Sequence, residues 1–367
     1  MHLGFAPVFQ NLGQPISDRE VYERELAMAE RAEAMGFDSI WSVEHHFTDY
    51  TMVPDVVQFL SYMAGKTQRV QLGSMVMVLP WHDPVRAAEQ IAMLDNLSGG
   101  RMILGIGRGL GRVEFDGFRV PMDESRDRFV ENAEIVLEGL DRGYVERDGQ
   151  FIQQPRRELR PAPFKSFRGR TFAAAVSPES MPVMARLGVG LLVIPQKPWD
   201  VVREDFKVYH RVWAETHGDD SAPPQPMCGG FFFVDESADR AEEMAHRYIG
   251  RYYHSVMEHY EMQAGHFENT RGYEFYSGIH KHIGKRTPDG AASDFVRLMP
   301  FGTPTQVLEK LEYIHQTIGA RGAMAHFAYG GMPYDEAERN MQLFVDKVMP
   351  EARRIGGQHG QLLVDAA

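Results

Sequence analysis

Cysteine is nearly absent from this chain. Cys228 is the only one in 367 residues, so no internal disulfide and no cysteine-based metal cluster can form. Flanked by Met227 and Phe231, that thiol reads as a buried structural residue without a redox role. Long hydrophobic runs are missing too. No stretch approaches the roughly 20 apolar residues that span a bilayer, and Met1-His2-Leu3-Gly4-Phe5-Ala6 lacks the basic region and sustained apolar stretch of a signal peptide. The expectation is a soluble, cytoplasmic protein with no membrane partner. Positive charge is also scarce, with 39 Lys and Arg against 51 Asp and Glu for a formal net charge of −12. That balance argues against broad electrostatic capture of nucleic acid, and an anionic ligand would need locally placed cations. No Gly-x-Gly-x-x-Gly follows the first apolar run, so the usual dinucleotide fingerprint is missing.

What is present is a core-forming, alternating pattern. With 43% hydrophobic and 25% charged residues, the chain is globular and long enough to bury a large core. Strand-like runs are predicted at Leu3 to Phe9, Ser39 to Val43, Val70 to Leu79, Met102 to Gly107, Thr171 to Ala175, Val189 to Ile194, Met227 to Val234 and Ala323 to Ala328. Amphipathic stretches separate them. Ser17 and Glu20 have capping-box spacing before Tyr22, Leu26, Ala29 and Ala32, and Gly36 marks a stop. Asp83-Pro84 starts a helix running to about Leu97. Phe129, Ala133, Val136, Leu137 and Leu140 recur at helical spacing, as do Val307, Leu308, Leu311 and Ile314 after Thr303-Pro304, and a last helix is expected from Tyr334 to Val348. Eight β then α units predict an α/β protein built as a (β/α)8 TIM barrel, one domain over 1–367, with its active site at the strand C-terminal ends. A doubly wound open sheet is the alternative.

Two connections exceed ordinary length. Residues 143–170, broken by Pro155, Pro161 and Pro163, read as a surface excursion. After strand seven, residues 246–300 form a long, aromatic-rich, lid-like insertion that would cover the substrate. Its six histidines between His246 and His282 show no coordinated ligand spacing, so no metal is assigned.

The chemistry-bearing residues fall at strand ends. His45, in Trp41-Ser42-Val43-Glu44-His45-His46-Phe47-Thr48, could move a proton near neutral pH or merely hydrogen-bond to nearby backbone. His46 points the other way and reads as structural. Arg108, at the end of strand four, could bind phosphate as a fork of donors or pair with one of many carboxylates. Ser177 and Ser180 open the fifth helix, where free N–H groups favour an anion, although Ser177 can equally be an ordinary N-cap. Arg126 could reach the same charge, and together these residues suggest a phosphate pocket. Glycines 105, 107, 109 and 111 either admit a flat group or mark a tight barrel corner.

The segments Trp41 to Thr48, Val78-Leu79-Pro80 with Pro84-Val85-Arg86, and Gly105-Ile106-Gly107-Arg108-Gly109-Leu110 resemble the bacterial-luciferase-like flavin monooxygenases, most nearly the luciferase alpha-type subunit. The resemblance is best over residues 1 to 195 and returns at Gly302 to Phe327. It implies a TIM barrel that binds reduced FMN supplied by a separate flavin reductase, with O2 adding to the flavin to give a peroxide that attacks a small-molecule substrate. By position, His45 matches the family's catalytic histidine, and Arg108 and Arg126 match cations near the FMN phosphate. Val176, Ser177 and Ser180 match the phosphate turn. Met75-Val76 matches a peptide beneath the ring that is often cis, and Leu110 a backbone contact to the ring edge. Gly107 stands where the light-emitting subunit has a reactive cysteine, Val176 replaces an acid, and Asp83 replaces a common histidine, so light emission is not implied. The substrate is expected to be apolar or aromatic, although the insertion's aromatics could equally pack a dimer interface, and a homodimer is implied by the resemblance. Two other readings remain: an F420-dependent oxidoreductase that transfers hydride without oxygen, and a noncatalytic flavin-binding protein.

Overall fold

Four- to six-residue buried strands cannot satisfy their backbone groups alone, and here each pairs with the next in the chain. In the computed structural model, which describes residues 1–283 and 288–357, the strands are β1 (His2–Phe5), β2 (Ser39–Ser42), β3 (Gln71–Ser74), β4 (Met102–Gly107), β5 (Thr171–Ala174), β6 (Gly190–Val193), β7 (Met227–Phe231) and β8 (Gly322–His326). All neighbours are parallel, and β8 returns to pair with β1 through His2 opposite Gly322 and Phe5 opposite Ala325. The sheet is therefore closed, a TIM barrel ringed by helices, and the open-sheet alternative is excluded.

The interior of the barrel is filled by side chains. Trp41, Ile103, Phe172, Leu192, Met227 and Met324 form one buried cluster with Ala6 and Met75. Trp41 fits because its neighbours are glycines: a Cβ on Gly73 would lie 2.3 Å from the indole, and one on Gly4 2.6 Å from its nitrogen. The indole N–H is satisfied by Ser39 Oγ at 2.7 Å. Outside the barrel, the other faces of the strands pack against helices that include α1 (Asp18–Ala32), α2 (Val56–Lys66), α3 (Pro84–Leu97), α4 (Arg112–Phe118), α5 (Ser125–Arg142), α6 (Met181–Leu187), α7 (Trp199–His217) and α8 (Ala238–His259). Asp83 caps α3 through the N–H groups of Val85 and Arg86, as its sequence predicts.

Several predicted elements are shorter or differently shaped. The first strand ends at Phe5, well before Phe9, whose φ of 53° is left-handed. The third stops at Ser74, a cis Met75–Val76 peptide follows, and only Met77–Val78 resumes pairing, against Ile106 and Gly107 of β4. The seventh leaves the barrel after Phe231, and Phe233–Val234 pair instead with Phe301–Gly302. The excursion of residues 143–170 contains regular structure that its prolines concealed, an antiparallel hairpin of Tyr144–Asp148 and Gln153–Glu158. Its turn is held by the Glu131 carboxylate, which accepts the N–H groups of Gln150, Phe151 and Ile152. Residue 246 lies inside helix α8, which runs on to His259. Beyond α8, Met262, Phe267, Tyr273 and Tyr276 form a small buried cluster against which Leu110 packs. The expectations for His280 and His282 concern side chains outside those described.

One buried acid on α1 gives the fold a pH signature. Glu25 is 1% exposed and its Oε2 has no hydrogen-bond partner. Burial pushes its carboxyl from 4.5 up to about 8, opposed only by backbone N–H groups of Phe9 and Val8. Between those two values the folded chain holds a proton that the unfolded chain has released, so this group's contribution is complete below pH 4.5 and is lost as pH rises through about 8. Glu25→Gln should therefore gain stability relative to the parent as pH rises from about 5 to about 8. Urea unfolding of both proteins at several pH values measures this, and a gap that stays constant with pH would refute it.

Candidate active site

A cavity of about 980 Å³ opens at the C-terminal ends of the barrel strands, near the top of the range for small-molecule sites. Its residues come from the segments after seven of the eight strands: Val8 after β1, His45 after β2, Met75 and Val76 after β3, Arg108 and Leu110 after β4, Val176 after β5, Lys197 after β6, and Tyr260 and Phe275 from the chain beyond β7. Because a TIM barrel brings its strand ends to one face, residues distant in sequence share this space.

One end of the cavity is built around a carboxylate. Glu114 sits in the first turn of α4 with its side chain 1% exposed. Its Oε1 is 3.0 Å from His45 Nδ1, accepts the His46 backbone N–H at 3.0 Å, and lies 3.4 Å from His259 Nε2. Burial resists its ionisation, yet the His45 and His259 imidazoles beside it hold the carboxyl down at about 2. An ionised Glu114 can only accept, so His45 Nδ1 carries the hydrogen and Nε2 presents a lone pair. That nitrogen is 3.5 Å from the Tyr260 hydroxyl. Burial and then Glu114 hold the Tyr260 phenol well above its usual range, so it stays protonated. Tyr50 stacks on His259 and its hydroxyl meets that of Tyr252.

His46 turns away from this end. Its Nε2 lies 3.2 Å from Glu44 Oε1, which also takes His82 Nε2 at 2.7 Å, while Glu44 Oε2 accepts the Val78 N–H at 2.8 Å. Burial lowers the affinity of His82 for a proton, but the Glu44 partner more than compensates and its pKa rises. This second histidine–carboxylate group ties the segment after β2 to that after β3.

The other end collects cations. Arg108 Nη1 and Arg126 Nη2 both donate to the Gly272 carbonyl, at 2.6 and 3.1 Å. The Arg108 guanidinium lies 3.9 Å above the Tyr273 ring, and Arg126 also donates to the Glu179 carbonyl at 3.1 Å. Burial first, then the like charge of Arg108, lowers the Arg126 pKa, with Glu179 and Glu274 acting against that. Two guanidinium groups sharing one neutral oxygen are under-compensated, which suits the spot to an anion. Lys197 adds a third cation, donating to the Val176 carbonyl at 3.1 Å and paired with Asp205.

Of the residues singled out in the sequence, His45, Met75, Val76, Arg108, Leu110, Arg126, Val176 and Ser180 all line this cavity. Ser177 does not. It is buried, its hydroxyl lies 2.9 Å from that of Ser180, and neither serine caps a helix with its side chain. The expected helix opening is a single turn, Pro178–Ser180, leading into the seven-residue α6, and the Ser180 N–H is already given to the Ser177 carbonyl. The glycines of β4 admit a neighbouring strand, as the barrel-corner reading has it: a Cβ on Gly105 would lie 1.9 Å from the Ser74 carbonyl oxygen, and one on Gly107 2.3 Å from the Val76 side chain. Sequence reading missed Glu114, His259 and Lys197, and took Tyr260 only as one of the aromatics of the lid-like insertion. Only Lys197 carried a legible signal, its place just after the sixth strand; Glu114 and His259 sit in helices whose position over the barrel mouth no local pattern reveals, and Tyr260 is the residue that ends α8.

A family model described as luciferase-like monooxygenase matches residues 1–321. The alkanal monooxygenase alpha chain of Photorhabdus luminescens is 26% identical over 337 residues, 91% of this chain and 93% of that one. Among solved structures, the monooxygenase RslO1 of Streptomyces bottropensis superposes with a TM-score of 0.79 at 25% identity, covering 96% of this chain and 99% of its own. The oxygenating constituent of 3,6-diketocamphane monooxygenase from Pseudomonas putida, a type II Baeyer-Villiger enzyme in complex with FMN, shares the fold with a TM-score of 0.73 at 19% identity and coverage of 96% and 98%. An F420-dependent secondary alcohol dehydrogenase does so with a TM-score of 0.70 at 14% identity and coverage of 96% and 99%.

The Glu114 arrangement makes a direct prediction. Glu114→Gln keeps the shape but replaces a charged acceptor with a neutral amide facing two imidazoles and an amide N–H, so it should cost roughly 1–3 kcal/mol of stability at neutral pH. Denaturant unfolding measures this, and a loss below about 0.5 kcal/mol, the size of an ordinary surface effect, would show that the carboxylate does not hold the site together.

Proposed function

The chain belongs to the luciferase-like monooxygenase family, and we propose that it is a flavin-dependent oxygenase: it binds reduced FMN delivered by a separate reductase and uses O2 to oxygenate a small apolar or aromatic compound. The observation that carries this reading is that one cavity is lined both by Arg108 and Arg126, which converge on the Gly272 carbonyl, and by His45.

The residues fit such a cofactor. Arg108, Arg126 and Ser180 would hold its phosphate, the Gly272 carbonyl now marking where the two guanidinium groups converge. Met75, Val76 and Leu110 offer apolar surface for a flat ring. When bound, the reduced flavin supplies the two electrons that activate O2. The chain's part is to position, to exclude water and to move a proton: His45 Nε2, with Glu114 fixing its tautomer, accepts or returns a proton at the reacting centre. Tyr260, Met262, Phe275 and Tyr276, all from residues 246–300, line the cavity, and we read that segment as a cover that keeps the reaction dry. Phe231, Tyr253 and Phe295, also lining the cavity, are the surfaces that favour an apolar or aromatic substrate. We further propose one domain over 1–367, a homodimer and a cytoplasmic location; among the described residues no helix is long and apolar enough to cross a membrane.

A second reading, F420-dependent hydride transfer, draws on the shared fold of the F420-dependent alcohol dehydrogenase. Anaerobic binding of both cofactors separates the two: the oxygenase reading requires reduced FMN to bind and O2 to be consumed with product, and turnover with F420 alone would replace it.

Two further outcomes are expected. Arg108→Ala should weaken FMN binding by about 10- to 100-fold, the value of a lost charge-assisted pair, and leave riboflavin, which lacks the phosphate, almost unaffected; equal weakening of both would move the phosphate elsewhere. His45→Ala should bind reduced flavin normally yet form no product in a screen of aldehydes, ketones and aromatics. Full turnover by that variant would remove His45 from the chemistry, and flavin binding with no turnover by the parent would favour a noncatalytic flavin-binding protein.

A further inference from the structure

We propose that His45, Glu114 and His259 form a binding site for one divalent transition-metal ion of the zinc type, and that filling it silences His45. Their ligand atoms all lie within 4.8 Å of one another, with Glu114 Oε1 3.0 Å from His45 Nδ1 and 3.4 Å from His259 Nε2. Nitrogen and oxygen donors about 2.0–2.2 Å from a tetrahedral zinc ion stand roughly 3.3–3.5 Å apart, so small shifts seat the ion among them. Two imidazoles and one carboxylate, drawn from three separate segments, are a zinc ligand set that leaves a fourth position open.

A second observation points to a ligand. His259 Nε2 is buried, its side chain 1% exposed, and it has no hydrogen-bond partner although it faces the Glu114 carboxylate. Its other nitrogen, Nδ1, is 2.9 Å from the Thr48 hydroxyl. The Thr48 hydroxyl can donate to Nδ1 or accept from it, so Nε2 can face the carboxylate either with its hydrogen or with a lone pair; in the second form a metal ion takes the place of that hydrogen between the two groups. The Glu44 group serves as an internal comparison. His46 and His82 both bond to its Oε1 while its Oε2 takes the Val78 N–H, and among the described residues only the Glu114 trio gathers three donors so closely.

The consequence for His45 follows from valence. An ion on Nδ1 displaces that hydrogen, and a neutral imidazole then carries its one proton on Nε2, the nitrogen 3.5 Å from the Tyr260 hydroxyl. The lone pair the cavity would use is lost, while the arginine end is untouched. This effect on turnover rests on the oxygenase reading; the binding site does not.

The test uses the whole protein stripped with a chelator and titrated with Zn2+ against a chromophoric competitor, and with Co2+ for its visible spectrum. The expected result is one ion per chain at micromolar affinity or tighter, with a four- or five-coordinate nitrogen–oxygen cobalt spectrum. Affinity should fall about 100-fold in His259→Ala and by about 10- to 100-fold in Thr48→Val, whose hydroxyl only orients a ligand, and stay unchanged in His82→Ala. The cobalt spectrum of the parent serves as evidence even where a variant fails to fold. No saturable binding, or binding indifferent to His259, overturns the proposal. Zinc should also halt turnover without altering flavin affinity. If zinc binds through the trio but turnover continues, the site stands and the role given to His45 falls; if zinc does not bind while His45→Ala abolishes product, the oxygenase reading stands and the metal site falls.

Discussion

A single carboxylate oxygen organises the mouth of this barrel. Glu114 Oε1 gathers the His45 imidazole, the His46 backbone N–H and the His259 ring, and these belong to the segment after β2, to α4 and to the end of α8. Because the group is buried and ionised, its cost is offset only when all its donors are in place, so the three segments are held as a unit. The orientation of His45 is a product of that bargain rather than of local sequence.

Below the mouth a different constraint operates. The indole of Trp41 occupies volume that Gly4 and Gly73 leave empty, and the layer it forms with Ile103, Phe172 and Met324 closes the barrel to ligands. The cavity therefore lies above that layer, floored by strand ends such as Gly107, Ala174 and Leu192 and walled by the connections and the segment beyond β7. Rigidity comes from the strands and chemical character from the connections. The arginine end shows the same division: Arg108 rides on the end of β4 and Arg126 on the first turn of α5, yet their shared partner, the Gly272 carbonyl, is supplied from residues far along the chain.

How much of this could be read from residues alone depended on whether the cause was local. Period-two and period-3.6 patterns are local, so eight β then α units and most helix starts were legible, down to the limits of α3 and β4. The alternation could not distinguish an open sheet from a closed one, because closure is decided by β1 meeting β8, more than 300 residues away. Breaks inside apolar runs carried no pattern of their own: Phe232 is as hydrophobic as the strand it interrupts, and the cis Met75–Val76 peptide was marked by the family resemblance alone. At the mouth, His45 and Arg108 announced themselves by ending strands. Glu114 did not, since a short helix after a glycine-rich turn has too few positions to show a period, and His259 was one of six histidines in a segment whose spacing said nothing. A helix opening drew attention to Ser177 and Ser180 together, while the fold turns Ser180 to the cavity and buries Ser177 beside it.

The placement of sulfur in the molecule has a chemical consequence. The lone thiol, Cys228, lies on a strand behind the cavity, among the helix-facing core residues, and burial pushes its pKa up, so it holds no reactive thiolate. Thioethers, by contrast, stand in the chamber itself, in Met75, Met184, Met257 and Met262. Stray oxidant released in that chamber would meet these four long before it met the thiol, and would leave sulfoxides, which reductases can repair, instead of sulfinic acids, which they largely cannot. Wear from repeated catalysis would thus accumulate as added polarity on the apolar wall, eroding grip on the substrate while the barrel beneath stays whole.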